Sequence, residues 1–422
     1  MTDLTNLTTW TRRAMLTRGV GLMGVGALAP GYLLRAAAAA SDPAGDAQGT
    51  DHRVAVVLQL SGGHDSLSEL VPYSDKAYHE ARQATRIGED EVIRINDQLG
   101  LHPNLKGFKD LLDDGAFAAI PGVGYPKPNY SHFTSTDIWH FADRRGRELP
   151  AGWIGRAVDH RFSDVNDPKL AIAVGTGSAP LAIKGRKHPG LAINNPESWR
   201  YTGVGGNTKA ASLYRALNTS KQMQGSEAQS FVGRTAEIAN EASQTIRELA
   251  AAHKPKVEYP STSLGRNLRT IAGQIVGGLS TRVYFTFQGG YDTHRGQRAN
   301  HDKRMTELND AVYAFVHDLK QHGQADRVLL FTTSEFGRRV KENGSEGTDH
   351  GAAASLYMFG PAVKPGIHGT FPSLTDLQGG GGGSLKHTVD FRSIYATVLE
   401  KWLKIPCASV LGETYPLIEC FA

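Results

Sequence analysis

The stretch RVAVVLQLSGGHDS, residues 53–66, is an apolar, β-branched run that ends in a glycine-rich polar turn. This pattern predicts a buried strand leading into a loop, which is where α/β proteins commonly carry reactive side chains. Apolar residues at helical spacing over 264–279 and 305–319 predict helices with one face in the core. The alternation of strands and helices favours an α/β fold with a mostly parallel, doubly wound sheet between helices. Similar apolar runs predict further strands at 116–120, 168–174, 282–287, 327–332 and 356–360.

The composition is that of a globular protein, with 422 residues of which 40% are hydrophobic and 21% charged. It excludes a disordered polymer, a collagen-like repeat and a multi-span membrane protein. The formal net charge is +4, and four arginines against one aspartate place +3 of it in residues 1–40. The rest of the chain is near neutral, so no nucleic acid is expected as a partner.

The first 40 residues have the pattern of an export signal. Thr11–Leu16 reads TRRAML, a twin-arginine pattern, and a weakly apolar, glycine-rich stretch follows over Gly19–Leu34. Small residues at Ala36–Ala40 suit signal peptidase, and the apolar stretch is too short and glycine-rich for a stable transmembrane span. We therefore predict a twin-arginine signal peptide at 1–40, the twin-arginine translocase as an export partner, and a periplasmic or secreted protein. The alternative is a disordered N-terminal tail.

Residues 41–422 are predicted to form the α/β domain, with an insertion or lid at about 185–280. Residues 185–225 are polar, rich in glycine and asparagine, and poorly periodic. Two apolar stripes at helical spacing follow over 231–249 and 264–279, which predicts a helical hairpin within the insertion.

Ionisable side chains follow several of the predicted strands. Because ligands bind at the carboxyl ends of parallel strands, these side chains are predicted to form a divalent-metal site with oxygen and nitrogen ligands. The alternatives are that an aspartate in a glycine-rich turn only shapes the turn, and that Glu335 pairs with Arg338 or Arg339. The candidate ligands are Asp65, Asp292, His294, Glu335, Asp349 and His350.

Ser131 is the candidate nucleophile. Residues 121–130 are rich in glycine and proline and predict a loop, after which Ser131 has the pattern of a helix N-cap. A hydroxyl at a helix N-terminus faces converging N–H groups that stabilise an anion, and a nearby metal would activate it. The alternative is that Ser131 only caps the helix. Ser135 and Asp137 are alternative candidates for the catalytic role in the same turn. The chain has no G-x-S-x-G, H-E-x-x-H or P-loop motif, which disfavours a lipase-like hydrolase, a zincin and an NTPase.

Five blocks in order along the chain resemble the bacterial family known as domain of unknown function 1501. They are VVLQLSGGHDSLSELVPY, GVGYPKPNYSHFTSTDIWH, QGGYDTH, TTSEFGRRVKENGSEGTDHGAA and DFRSIYATVLEKWL. That family is assigned to the alkaline-phosphatase-like superfamily, which includes sulfatases. The resemblance implies a mostly parallel central sheet, a hydroxyl or formylglycine nucleophile, and one or two divalent metal ions.

The resemblance also implies roles for individual residues. Asp65 matches the metal carboxylate after the first strand, and Ser131 stands at the position of the nucleophile. Asp292, His294 and His350 resemble metal ligands, with Asp349 a further ligand or a partner of one.

One position departs from the superfamily pattern. Phe336 replaces a histidine ligand, so a complete two-zinc site is disfavoured. An oxygen-only second site of Asp65, Glu335 and Ser131 would suit Mg, Mn or Ca better than Zn. The sulfatase nucleophile motif is absent at Ser131, which disfavours formylglycine chemistry.

These observations predict an exported hydrolase of phosphate or sulfate esters that depends on Zn, Mn, Mg or Ca. Ser131 would attack the ester, and Arg338 or Arg339 would clamp the anionic group. The substrate would be an anionic small molecule or polymer ester. The alternatives are a catalytically degenerate envelope protein used for binding or assembly on the same fold, and a phosphotransferase or isomerase.

Overall fold

The computed structural model describes residues 52–165, 167–195, 209, 212, 242–379 and 383–422. The predicted signal peptide lies outside these residues, as does the part of the predicted insertion between residues 196 and 241, except 209 and 212. The chain divides into two compact units, and the fold below is that of Asp46–Trp199 with Thr245–Ala422.

The strands of the described residues have these bounds: β1 (Val54–Leu60), β2 (Leu70–Val71), β3 (Ile93–Arg94), β4 (Gly100–Leu101), β5 (Phe117–Gly124), β6 (Ala171–Val174), β7 (Leu191–Ile193), β8 (Val283–Gln288), β9 (Val328–Thr333), β10 (Gly337–Glu342), β11 (Thr348–Gly351), β12 (Ala354–Phe359), β13 (Gly366–Ile367), β14 (Leu377–Gln378), β15 (Ser384–Leu385) and β16 (Val389–Asp390). The helices are α1 (Lys76–Ala81), α2 (Lys106–Asp113), α3 (His132–Phe141), α4 (Trp153–Arg161), α5 (Ser263–Val276), α6 (Gln297–Gln321), α7 (Phe391–Thr397) and α8 (Cys407–Leu411). A further helix covers residues 242–252, and a π-helical turn, Val398–Leu403, continues α7.

The main sheet confirms the predicted α/β class. Its order is β13-β5-β12-β9-β1-β8-β6-β7, with β16 also paired to β5. β1 is parallel to both its neighbours, β8 and β9, and β6 is parallel to β7 and β8. The carboxyl ends of these central strands therefore meet at one edge.

Strand β1 shows why the sequence folds this way. Its residues alternate between two cores, with Val54, Val56 and Leu58 on one face and Ala55 and Val57 on the other. The first core is covered by α2, α5 and α6, and the second by α3, α4 and α7. Burial of each large aliphatic side chain contributes about 1.5–3 kcal/mol, which explains why the strand is apolar on both faces.

Two details differ from the prediction. Strand β12 runs antiparallel to both β5 and β9. Strand β5 continues through residues predicted as a loop, and its register against β12 shifts between Ala354 and Leu356. Two residues of β5, Pro121 and Gly122, lie opposite one of β12 at this bulge, which accommodates a proline that has no N–H to donate.

None of the helices in the described part of the chain is long and apolar enough to cross a membrane.

Candidate metal centre

Three imidazoles converge on the carboxylate of Asp292 at the carboxyl edge of the sheet. Nε2 of His294 lies 3.0 Å and Nε2 of His350 lies 3.2 Å from Asp292 Oδ1, and the two nitrogens are 3.0 Å apart. Nε2 of His132 lies 3.5 Å from Asp292 Oδ2. His132, Asp292 and His350 can each present one ligand atom within 4.8 Å of the others. Ligand atoms about 2.0–2.1 Å from one zinc ion would have separations of this order.

In each imidazole, Nδ1, the nitrogen that does not face Asp292, lies close to an oxygen atom of another residue. Nδ1 of His132 lies 2.8 Å from Glu335 Oε1, and Nδ1 of His294 lies 3.3 Å from Asp349 Oδ1. Nδ1 of His350 lies 2.9 Å from the carbonyl oxygen of Tyr130. Metal-binding histidines characteristically have such a partner, which orients the ring and fixes the tautomer with the free nitrogen toward the ion. Three independent rings with this arrangement therefore form a preorganised nitrogen-ligand set.

The four loops of the centre come from distant parts of the chain. His132 is the first residue of α3, and Asp292 and His294 follow β8. Glu335 lies between β9 and β10, and His350 is in β11, opposite Arg338 of β10. The strand ends of the sheet thus bring these segments to one place.

Arg338 joins the loop after β1 to the loop after β8 and to β11, whereas the sequence analysis predicted it as an anion clamp. Its side chain is buried, and Nη2 donates to Asp292 Oδ1 at 2.7 Å. The guanidinium also donates to backbone carbonyls of Gly62, Gly63, Tyr291 and Thr348. Since all three nitrogens are engaged within the protein, Arg338 positions Asp292 and is not free to bind a substrate. Arg339 is more exposed, with Nη1 4.0 Å from Asp349 Oδ2.

Phe336 forms the floor of the centre. Its ring centroid lies 4.8 Å from that of His132 and 4.4 Å from that of His350. A Cβ on Gly63, where φ is +71°, would lie 2.3 Å from the Phe336 ring, and one on Gly62 would lie 2.5 Å from the backbone nitrogen of Asp292. The Gly62-Gly63 pair is therefore required for the loop after β1 to pack against the centre.

The surroundings of Asp292 and His350 shift the pKa values of both groups downward. Partial burial opposes ionisation of Asp292, but the hydrogen bond from Arg338 and the positive charge of its guanidinium outweigh it and lower the pKa of Asp292 to about 2. Burial and the positive charges nearby lower the pKa of His350. At neutral pH the carboxylate is therefore charged and His350 is neutral, the forms in which both groups bind metal.

Asp65, a predicted metal ligand, is engaged elsewhere. Oδ1 accepts from Arg82 Nη2 at 2.8 Å, and Oδ2 accepts from Arg82, Ser68 and Gln297. Burial alone would raise the pKa of Asp65, but the ion pair with Arg82 outweighs it and holds the pKa far below its usual range. With both oxygens occupied, Asp65 stabilises the loop after β1, and the predicted oxygen-only site with Glu335 and Ser131 is not assembled.

The remaining predicted residues have these positions. Glu335 lies next to Nδ1 of His132, and Asp349 lies next to Nδ1 of His294, as described above. Ser131 is exposed at the N-cap of α3, and its hydroxyl makes no capping hydrogen bond. The sequence analysis missed His132 as a candidate ligand. The available signal was its place next to Ser131, at the first turn of a helix that begins at the carboxyl edge of the sheet.

A buried network lies beneath the centre. His64 Nδ1 is 2.7 Å from Glu69 Oε2, which also accepts from the Tyr357 hydroxyl at 2.9 Å. Nε2 of His301 is 3.6 Å from Glu69 Oε1, and His301 is only 2% exposed. Burial lowers the pKa of His301 to about 4, despite the opposing influence of Glu69.

The lowered pKa of His301 predicts that the folded protein becomes less stable as the pH is lowered from 6.5 toward 4. Between the ordinary histidine pKa of 6.5 and about 4, the unfolded chain binds a proton at residue 301 that the folded chain does not. The stabilisation is present above pH 6.5 and is lost as the pH falls toward 4. The expected slope is about 1.4 kcal/mol of unfolding free energy per pH unit from this group. Urea denaturation at several pH values measures it, and an unchanged slope in His301→Gln would show that the assignment to His301 is wrong.

The family model described as "Protein of unknown function (DUF1501)" matches residues 51–403. The chain belongs to this family. No curated protein matches this DUF1501 chain. Among solved structures, it is similar to the PsFucS1 sulfatase from Pseudoalteromonas sp., with 10% identity, a TM-score of 0.38, and coverage of 90% of this chain and 74% of that one.

Two further solved structures are similar to the DUF1501 chain. One is the C-terminal periplasmic domain of EcEptC from Escherichia coli in complex with Zn, at 9% identity and TM-score 0.36, covering 76% of each chain. The other is a TAB5 alkaline phosphatase mutant with Mg bound, at 11% identity and TM-score 0.34, covering 75% of this chain and 94% of that one. Because these scores are low, the α/β assignment of the DUF1501 chain stands on its own sheet order and strand directions.

Proposed function

We propose that this protein is an exported, metal-dependent hydrolase of phosphate or sulfate esters. The observation that carries the proposal is the convergence of three Nε2 atoms on Asp292, each ring held from behind through Nδ1. A set of three imidazoles and one carboxylate suits zinc better than Mg or Ca, which prefer oxygen ligands. One ion is expected, held by Asp292 and His350 with His132, His294 or both.

A bound ion would supply Lewis acidity at the ester and lower the pKa of a nearby hydroxyl. The chain's own residues would supply the rest. Asp292 stays ionised and is aimed by Arg338, while Glu335 and Asp349 keep two imidazoles in place. The negative charge that develops on the ester oxygens would also face the N-terminus of α3, a ten-residue helix.

Ser131 is the proposed nucleophile. It directly precedes His132, it is exposed, and its hydroxyl is not used to cap α3. Attack of Oγ on the phosphorus or sulfur would form a serine ester and release the alcohol, and water would then hydrolyse that ester. The twin-arginine pattern supports loading of the metal in the cytoplasm, since that route exports folded proteins.

Replacing Ser131 by alanine tests the nucleophile. The change is expected to lower kcat for aryl phosphate or aryl sulfate hydrolysis by at least about a thousandfold, because no other group takes over bond formation. The zinc content is expected to stay unchanged. Thr134→Ala, which removes an exposed hydroxyl from the same turn, is the matched control. A Ser131→Ala protein as active as that control would contradict the role of Ser131.

The burial of Phe336 against His132 and His350 favours a second candidate, a binding or assembly protein of the cell envelope that retains the fold without catalysis. Only the hydrolase would convert an ester to products. Zinc-loaded protein that hydrolyses neither phosphate nor sulfate esters would favour the binding protein.

A further inference from the structure

A large cleft opens beside the metal centre, at the carboxyl ends of β6 and β8. Its volume is about 1170 Å³. Gly175, which follows β6, and Phe287, near the end of β8, line it together with residues 261–264 at the start of α5. Ligands of doubly wound sheets bind at this edge, so the cleft is well placed to receive a ligand.

The described residues that line the cleft carry a net positive charge. They include four arginines, Arg247, Arg266, Arg269 and Arg304, and one glutamate. That glutamate, Glu307, pairs with Arg304 at 2.6 Å. Arg266 and Arg269 are exposed on α5, and Arg266 is oriented by the carbonyl oxygen of Ser261 at 2.6 Å. Guanidinium groups concentrated in a concave surface favour ligands with several anionic groups.

The cleft reaches the loop that carries Asp292. Gly289 lines the cleft, and Asp292 is three residues further along, a contour of at most about 11 Å. The Arg304 side chain lies over Gly290, where an added Cβ would be 3.2 Å from Nε. One extended ligand can therefore contact the arginines and the metal centre together.

An exposed aromatic ring in the cleft indicates the chemical class of the anionic ligand. Phe287 is 40% exposed within the cleft. The other exposed large hydrophobic residues in the described part of the chain are Tyr130 and Phe133, which flank His132. Flat apolar rings beside cations suit the C–H face of a sugar ring whose substituents are charged, whereas a polyphosphate chain has no such face.

We propose that this cleft binds an anionic oligosaccharide, a glycan with sulfate or carboxylate groups on successive residues. The inference rests on the proposed function in one respect, the placement of the scissile ester at the metal centre. The arginines of α5 then bind the anionic groups of neighbouring sugars, and Phe287 stacks on a sugar ring.

Binding to the full zinc-loaded chain tests this proposal. The probes are oligomers of dextran sulfate, polygalacturonate, neutral dextran and polyphosphate, measured by calorimetry in low and moderate salt. We expect dextran sulfate or polygalacturonate to bind and neutral dextran not to bind, and comparison of the first two identifies the preferred anionic group. The double variant R266Q/R269Q is expected to weaken binding about tenfold or more. The matched double variant R86Q/R94Q removes two exposed charges outside the cleft and should change binding less than twofold.

The Phe287→Ala variant separates a glycan from other polyanions. It is expected to weaken binding of the anionic glycan severalfold and to leave polyphosphate binding unchanged. Equal affinity of R266Q/R269Q and wild type would overturn the proposal, as would polyphosphate binding as tight as glycan binding with no effect of Phe287→Ala. Binding is measured without turnover. An inactive protein that binds the glycan through Arg266 and Arg269 therefore contradicts only the proposed function, and an active esterase that does not bind it contradicts only this inference.

Discussion

Replacing His350 by alanine is expected to abolish ester hydrolysis and to weaken zinc binding by at least about a hundredfold. His350 Nε2 is within 3.2 Å of both Asp292 Oδ1 and His294 Nε2, so it is central to the ligand set. Loss of only an outer partner of a metal ligand typically costs 10- to 100-fold in affinity, and loss of a ligand itself costs more. Competition with a chromogenic chelator measures the affinity, and hydrolysis of an aryl ester measures the activity.

Two variants sharpen this experiment. Asp292→Asn keeps the shape of the side chain but removes its charge, and it is expected to weaken zinc binding as His350→Ala does. His368→Ala removes an imidazole whose Nε2 lies 2.7 Å from the carbonyl oxygen of Lys364 and that is not part of the centre, and it should bind zinc as the wild type does. Zinc affinity that survives in both His350→Ala and Asp292→Asn would rule out this centre.

Replacing Arg82 by methionine is expected to lower the free energy of unfolding by about 3–5 kcal/mol. Arg82 and Asp65 are both fully buried, and removal of one partner leaves an unpaired charge in the interior. The Arg82 guanidinium also donates to the carbonyl oxygens of Arg339 and Val340, which lose their partner. Urea denaturation near pH 7 measures the change.

The double variant Asp65→Asn/Arg82→Met is the control for this effect. Because it removes both charges, it should recover part of the stability lost in Arg82→Met. Lys76→Ala, which breaks an exposed ion pair with Glu80, should cost less than about 1 kcal/mol. Unchanged stability of Arg82→Met would contradict the structural role assigned to the Arg82–Asp65 ion pair.

The sheet was predictable because a strand that is buried on both faces has a continuous run of apolar residues. The run at Val54–Leu60 is apolar at nearly every position, and the structure places it at the middle of the sheet. The antiparallel direction of β12 was not predictable, since an apolar run has no direction. The continuation of β5 through Pro121 depends on a bulge against β12, a tertiary feature that local composition does not report.

The candidate site was predictable where it depends on strand ends alone. Asp292 and His294 follow β8, Asp349 and His350 were predicted in a loop just before a strand, and the structure brings the four together, although it places the last two within β11. Pairings between distant segments were not predictable. The partner of Asp65 is an arginine in an irregular segment, and the partners of Arg338 are mostly backbone carbonyls, which have no signature in side-chain chemistry.

X-ray absorption spectroscopy on protein exported by its native host, with the metal content of the same sample, shows whether imidazoles and Asp292 hold one metal ion. We expect one divalent ion per chain, with two or three imidazole nitrogens at about 2.0–2.1 Å and at least one oxygen in its shell. Protein that contains no ion and takes up none from added zinc would show that this centre does not bind metal, and an ion surrounded by oxygen alone would show that the imidazoles do not hold it.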